Sequence, residues 1–265
     1  VTDQPDQPSA TNDSDEFPID IRAARLARVE NYLAGGNANF EVDRALAEEL
    51  ADSAEARLDG LRGTIAALKA FVRRATRFLV AEEGVRQFLY IGMATPTEDM
   101  VHHVALRIAP DARVVYASYD PTTLAHVRAL WRDVPAGAVG HVQGAFDDPQ
   151  KILAAAADTL DFSRPVAVLL PTTLNLIADD AVAQRIVDEL RAAVVPGSAL
   201  VLAHTSVAIG TEGTAKLIEM LDAALDERYV SRDEAEVARL LEGFDLVEPG
   251  LVPVEQWRGD GDAQV

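Results

Sequence analysis

Apolar residues recur along this chain at two different spacings. Near the N-terminus the spacing is helical: Leu26, Val29 and Leu33 repeat until Gly35-Gly36 interrupts them, and residues 40–50 form a second short helix. Leu68, Val72, Ala75 and Leu79 then share one face of a longer helix expected at about residues 65–82, ended by Gly84. Beyond it, short continuous apolar runs occupy residues 88–91, 113–117, 139–142, 166–170 and 199–203, separated by helical stretches. Strands that alternate with helices make βαβ units. The pattern therefore predicts an α/β, Rossmann-like fold, a mostly parallel sheet with helices on both faces, behind a helical N-terminal extension.

Local signals sharpen the boundaries. Thr95-Pro96-Thr97-Glu98 combines a capping box with proline at the first helical position, ahead of an apolar face of Val101, Val104, Ala105 and Ile108. Asp120-Pro121 opens the next helix in the same way, and Ser231 with Glu234 predicts a further capping box, followed by Gly243 and a late strand at residues 244–247. Residues 1–16 are polar and acidic without apolar periodicity, so they read as a disordered tail. The remainder reads as one domain, with residues 17–83 as helical extension and lid and 84–265 as the α/β core.

Composition narrows the partners. Twenty-four Lys and Arg against 43 Asp and Glu give a net charge of -19, which repels a phosphate backbone and argues against nucleic acid. With no cysteine the chain has no disulfide, thiolate metal site or cysteine nucleophile, which suits a reducing compartment. No apolar run approaches the roughly 18 residues of a membrane span, and no secretory leader is visible, so a cytoplasmic protein without a membrane partner is expected. Adjacent His102 and His103 would point about 100° apart on a helix, while His126 and His141 stand alone, so no metal is predicted.

In a doubly wound sheet, ligands bind outside the carboxyl ends of the strands, here just after Ile91, Ala117, Val142, Leu170 and Ala203. Several segments around these points form an ordered series. They are Arg28-Val-Glu-Asn-Tyr-Leu-Ala-Gly-Gly-Asn-Ala-Asn-Phe40 with Asp43-Arg44, Gln87-Phe-Leu-Tyr-Ile-Gly92, and Ala109-Pro-Asp-Ala-Arg-Val-Val-Tyr116 with Asp120-Pro121. Asp161-Phe-Ser-Arg-Pro165, Pro196-Gly-Ser198 with His204, and Leu246-Val-Glu-Pro-Gly-Leu-Val-Pro253 complete it. Over residues 19–257 the chain resembles the actinobacterial S-adenosylmethionine (SAM) methyltransferase-like family, long a domain of unknown function.

That resemblance implies a SAM pocket, from which this chain departs. Where the family looks like Asp-Ile-Gly-Thr-Gly, the run is Tyr90-Ile91-Gly92-Met93-Ala94, so a phenol replaces the acid and Ala94 the second glycine. After the second strand Ser118 stands where the family has an acid for the ribose hydroxyls, and only Asp120 is kept. After the third, the acid of a Gln-Ala-Asp run that would sit beside adenine is replaced in Gln143-Gly144-Ala145. The family's Lys-Asp is here Asn37-Ala38, and Pro171-Thr172-Thr173-Leu174-Asn175 replaces an apolar run ending in His. Each lost charge-assisted hydrogen bond costs on the order of 1.5–3 kcal/mol, so three losses weaken SAM binding by several orders of magnitude.

The residues singled out for chemistry are His204 as acid or base, Asn175 as a hydrogen-bonding group, and Tyr32 as part of a lid with Asn39 and Phe40. Each also has a structural reading: strand-end bonding for His204 and Asn175, and helix stapling for Tyr32. Three functions follow. The first is an enzyme of specialised metabolism that needs no SAM and uses the former pocket on a small organic molecule for cyclisation or isomerisation. The second is a methyltransferase that holds SAM differently, through Asp120 or Asp147, and the third a non-catalytic binding partner of an active homologue. Self-association is left open.

Overall fold

The computed structural model describes residues 20–53, 57–92, 100–120, 134–206, 212–225 and 228–259. The expected tail, the Thr95 capping box, Ala94 and the helix after Asp120 lie outside these residues.

Five strands appear where the apolar runs place them: β1 (Gln87–Ile91), β2 (Arg113–Ser118), β3 (Val139–Gln143), β4 (Ala167–Pro171) and β5 (Ala199–Ala203). All neighbouring pairs are parallel, in the order β3-β2-β1-β4-β5. Strand order thus reverses between β1 and β4, and the carboxyl ends of these two strands form the switch point at which such sheets bind ligands.

Period-two alternation splits the core into two layers. Phe88 of β1, with Val114 and Tyr116 of β2 and Leu169 of β4, packs against Phe78 and Leu79 of α3 (Arg57–Ala81) and Val101 and Ala105 of α4 (Val101–Ile108). Leu89 and Ile91, with Val115 and Leu170, face Ile152 and Leu153 of α5 (Pro149–Ala156) and Ile186, Val187 and Leu190 of α6 (Asp180–Ala192). Fully burying one such side chain stabilises by about 1.5–3 kcal/mol, which is why the central strands read as unbroken apolar runs.

A third cluster explains the N-terminal extension. Leu26, Val29 and Leu33 of α1 (Leu26–Leu33) meet Leu46 and Leu50 of α2 (Glu41–Ser53), then Leu221 of α7 (Glu212–Ala224), Tyr229, and Leu176 of the 3-10 turn (Thr173–Leu176) that follows β4. The extension therefore packs on the carboxyl-end side of the sheet. An ion pair between buried Arg28 and Asp43, 3.2 Å apart, locks α1 to α2. Asp43 also accepts the Arg25 and Phe40 backbone N–H groups, and Phe40 lies under the Arg28 guanidinium.

Three expectations are corrected. The long helix is already formed at Arg57 rather than starting near residue 65, and Gly60 and Gly63 within it cost only about 1 kcal/mol each in propensity. The last helix, α8 (Glu234–Leu240), is capped by a box of Asp233 and Glu236, two residues beyond the expected Ser231 and Glu234, with Asp233 in extended backbone and its carboxylate on the Glu236 N–H. Residues 244–247 form no strand. Phe244 packs on Arg191 of α6, whereas Leu246 and Val247 are exposed, so no common face is buried.

Candidate active site at the strand ends

Gly92 ends β1 at φ +156 with its N–H bonded to the Ala117 carbonyl. A Cβ here would lie 3.0 Å from Thr173 Oγ1 and 3.5 Å from a Tyr90 ring carbon, so the glycine is required by close approach. The Thr173 hydroxyl donates to the Ile91 carbonyl at 2.5 Å and ties β4's end to β1's across the switch point. Thr172 beside it is buried and left-handed, at φ 58, an uncommon state for a β-branched residue. Its N–H bonds Ala203, its carbonyl accepts from Asn175, and its hydroxyl donates to the Pro171 carbonyl.

The structure brings His204 and Asn175 together at the strand ends, but both are heavily engaged. Asn175 is fully buried; its side-chain amide donates to Val230 O at 2.6 Å and accepts from Thr205 N at 3.2 Å, and its backbone carbonyl takes the Val230 N–H. His204 Nδ1 lies 2.8 Å from Thr205 O, and Arg232 faces Nε2 at 3.0 Å. An arginine can only donate, so Nε2 is the acceptor and the proton sits on Nδ1, which gives it to Thr205 O. The 3.1 Å approach of Asn175 Nδ2 to Nδ1 is then a contact between two donors. Burial, with the Arg232 charge added, holds this imidazole down at about 4, so it stays neutral at neutral pH.

Arg232 is the residue that sequence reasoning missed. It is buried, its guanidinium donates to Leu174 O and Ile177 O at 2.7 Å each and to Asp180 at 2.9 Å, and it thereby caps the 3-10 turn after β4. Nothing in the surrounding Ser231-Arg232-Asp233 marks it as more than a surface arginine. Tyr32 is placed elsewhere, half-buried with its hydroxyl on Glu48 at 2.9 Å, and that bond raises its pKa. Asn39, the other polar residue of the segment expected to act as a lid, bonds Asn31 and the Gly36 carbonyl, so the Gly35-Gly36 turn is internally closed.

A second missed residue is Glu30. This carboxyl on α1 is buried, and its pKa rises to about 7 because burial outweighs the attraction of Lys69 on α3. Its charge is felt by Tyr90 on β1 and by Tyr229, both buried enough that their phenols are pushed up and stay protonated. Tyr229 bonds Thr205 through their hydroxyls at 2.8 Å, and the Ser206 Oγ next to Thr205 is buried and finds no hydrogen-bond partner among the described residues. The only hint in the sequence is a charged residue on an otherwise apolar helix face.

The positions where SAM's acids are expected now have a geometry. Tyr90 is a neutral phenol leaning toward Gly92. Ser118 is fully buried and its hydroxyl is taken by the Asp120 N–H at 3.2 Å. Ala145 is exposed and carries no polar side chain, while Asp120 is retained and buried. These residues do not fit the acid set that the resemblance implies for SAM. Among the described residues no group of three His, Cys, Asp or Glu could hold a metal ion, and no helix is long and apolar enough to cross a membrane.

Scaffold and switch point are those of known proteins. A family model described as S-adenosyl methyltransferase matches residues 12–265. The chain belongs to the S-adenosyl methyltransferase family. Within it, a methyltransferase candidate from Thermobifida fusca YX is 35% identical, with 89% of this chain and 86% of that one covered and a TM-score of 0.80. A DUF574 family protein from Streptomyces avermitilis MA-4680 is 30% identical, with 89% of each chain covered and a TM-score of 0.83. No curated protein matches. Family membership thus accounts for the Rossmann-like sheet and its helical extension, and makes SAM the reference against which the altered positions are judged.

Proposed function

We propose that this family member acts on a small organic molecule at the carboxyl ends of β1, β4 and β5 without methyl transfer from SAM, promoting cyclisation or isomerisation. The observation that carries this reading is that Tyr90, Ser118 and Ala145 stand where the resemblance implies acids, on a retained scaffold, with the Ser118 hydroxyl oxygen accepting the Asp120 N–H. Such reactions need orientation and exclusion of water more than a strong nucleophile. Burial keeps the Tyr90 and Tyr229 phenols protonated at neutral pH. The test is calorimetric titration of the purified protein with SAM and S-adenosylhomocysteine. No binding up to millimolar concentration is expected, and micromolar binding overturns the reading.

A second reading, methyl transfer with SAM held by different residues, is favoured by family membership and by buried Asp120, the retained acid after β2. Methylation of a small-molecule acceptor by the purified protein establishes it.

A further inference from the structure

The sheet ends on β5, which among the described residues pairs with β4 alone. The Ala199 N–H goes to Val166 O and the Ala203 carbonyl takes the Thr172 N–H, both on the β4 side. Backbone polar groups of successive strand residues point to opposite flanks, so Ala199, Val201 and Ala203 bond β4 and the N–H and C=O of Leu200 and Leu202 face outward. Among the described residues neither leucine has a backbone hydrogen bond on that flank. Residues 244–259 run from Phe244 over Arg191 of α6 to Arg258 over Phe78 of α3 and give it none. Four of the five β5 residues are accordingly only half-buried, whereas the equally apolar β4 is buried throughout. Natural edges are blunted by charge, proline or a bulge, and Ala199-Leu-Val-Leu-Ala203 has none of these.

We propose that the outer flank of β5 is a self-association edge, on which a second copy of this chain lays its own β5 antiparallel about a two-fold axis at Val201. The strand sequence selects that occupant, because it is palindromic about Val201. A two-fold axis there sets Leu200 opposite Leu202 and Ala199 opposite Ala203 of the second copy, so residues of equal size meet on each face. Antiparallel pairing alternates hydrogen-bonded with non-bonded pairs. The outward groups of Leu200 and Leu202 fall in the bonded pairs and are all satisfied, while Val201, bonded to β4, meets its own copy in a close non-bonded pair. Charge selects the same place. With 24 Lys and Arg against 43 Asp and Glu, two copies repel each other over most of their surface, but residues 192–211 contain no Asp, Glu, Lys or Arg. An edge without charge is where two such acidic chains can meet. The contact is isologous and closes on itself, so it yields a dimer with one continuous sheet rather than a fibre. The inference is independent of the reaction assigned to the strand ends.

The experiment is sedimentation equilibrium of the full chain, followed by oxidation of single-cysteine variants. Wild-type protein is expected at twice the 28.5 kDa of one chain, with association that tightens as added salt screens the repulsion between the acidic surfaces. Because the chain has no cysteine, Val201→Cys can form a disulfide only with its own copy, and the close non-bonded pair suits that bond. Oxidised Val201→Cys should therefore run as a covalent dimer on a non-reducing gel. Leu200→Cys, whose opposite neighbour is Leu202, should not. A monomer at every salt concentration overturns the proposal, and so does a dimer that Val201→Cys fails to cross-link, since it then uses another surface. Should Val201→Cys fail to fold, amide hydrogen exchange of wild-type protein decides. The Leu200 and Leu202 N–H groups should exchange more slowly as protein concentration rises, and exchange that is independent of concentration overturns the assignment.

Discussion

Two buried polar regions flank the strand ends and differ in how completely they are satisfied. Around Arg232 every polar group has a short partner: two carbonyls, a carboxylate and the His204 imidazole. Around Glu30 the carboxyl is desolvated, and its attraction to Lys69 does not offset that cost. A satisfied network fixes a shape, and one with a surplus charge holds free energy that a ligand or a proton can release. The pair of regions teaches that buried polar residues here divide by the balance of their partners rather than by residue type. Histidine, the usual acid–base choice, is held neutral and bonded at both nitrogens, whereas burial raises the Glu30 carboxyl to about 7.

The largest effect that sharpens this contrast is expected from Arg232→Met. It strips the donors from Leu174 O, Ile177 O and His204 Nε2 in buried surroundings, and a loss of about 3–5 kcal/mol is expected from denaturant unfolding. NMR titration of His204 should also move up from about 4 as the adjacent guanidinium is removed, although burial keeps it below the ordinary value. An unchanged stability would mean that the network is not the rigid half of the comparison.

Glu30→Gln comes next and acts in the opposite direction. Its folded pKa of about 7 exceeds the ordinary 4.5, so the folded state binds the extra proton, and the associated stability is complete below 4.5 and lost as pH rises through 7. Since each pKa unit is worth about 1.4 kcal/mol, the neutral amide should be more stable than wild type above pH 7 by up to about 3 kcal/mol and equal to it at acid pH. Buried His102 and His204, both held down at about 4, impose the reverse slope, with stability present above 6.5 and lost as pH falls toward 4. Chemical unfolding across pH 4–8 separates the two slopes, because only the Glu30 contribution disappears in the variant.

What the sequence disclosed follows the same division. The five strands and the three N-terminal helices were legible because period and burial coincide: Phe88 and Leu89 point to opposite layers and are both fully buried. The Asp161-Phe-Ser-Arg-Pro motif was legible only as a resemblance. Its structural reason is that the Gln87 side chain brackets Asp161, donating to its carbonyl at 2.8 Å and accepting its N–H at 2.7 Å across 74 positions. No local pattern encodes such a long-range bond. Arg232 and Glu30 were hidden for the same reason, since a charge looks alike in sequence whether tertiary packing later covers it or not. The strand-end positions of His204 and Asn175 were legible, but their contact and the bonds that occupy them were not.

A smaller effect is expected from Thr172→Gly. Left-handed threonine at φ 58 carries backbone strain of order 1 kcal/mol, which glycine relieves at the loss of the hydroxyl bond to Pro171. The variant should unfold at a slightly higher temperature while keeping the Thr172 N–H bond to Ala203 O. If it is instead destabilised, the hydroxyl matters more than the backbone conformation, and the strain belongs to the satisfied half of the comparison.

Tyr32→Phe should have the smallest effect, and it tests whether Glu30 titrates on its own. Tyr32 shares α1 with Glu30, two residues away, but Glu30 is coupled to the strand-end phenols whereas the Tyr32 hydroxyl bonds the α2 carboxylate Glu48. Removing one exposed hydroxyl should leave both the unfolding midpoint and the pH midpoint of the Glu30 carboxyl where they are, as read by the same NMR titration. A shift in that pH midpoint would mean that Tyr32 and Glu48 act on Glu30 through α1, and that the lid and the crevice titrate as one unit. An unchanged midpoint means that the Glu30 carboxyl titrates independently of the Tyr32–Glu48 pair.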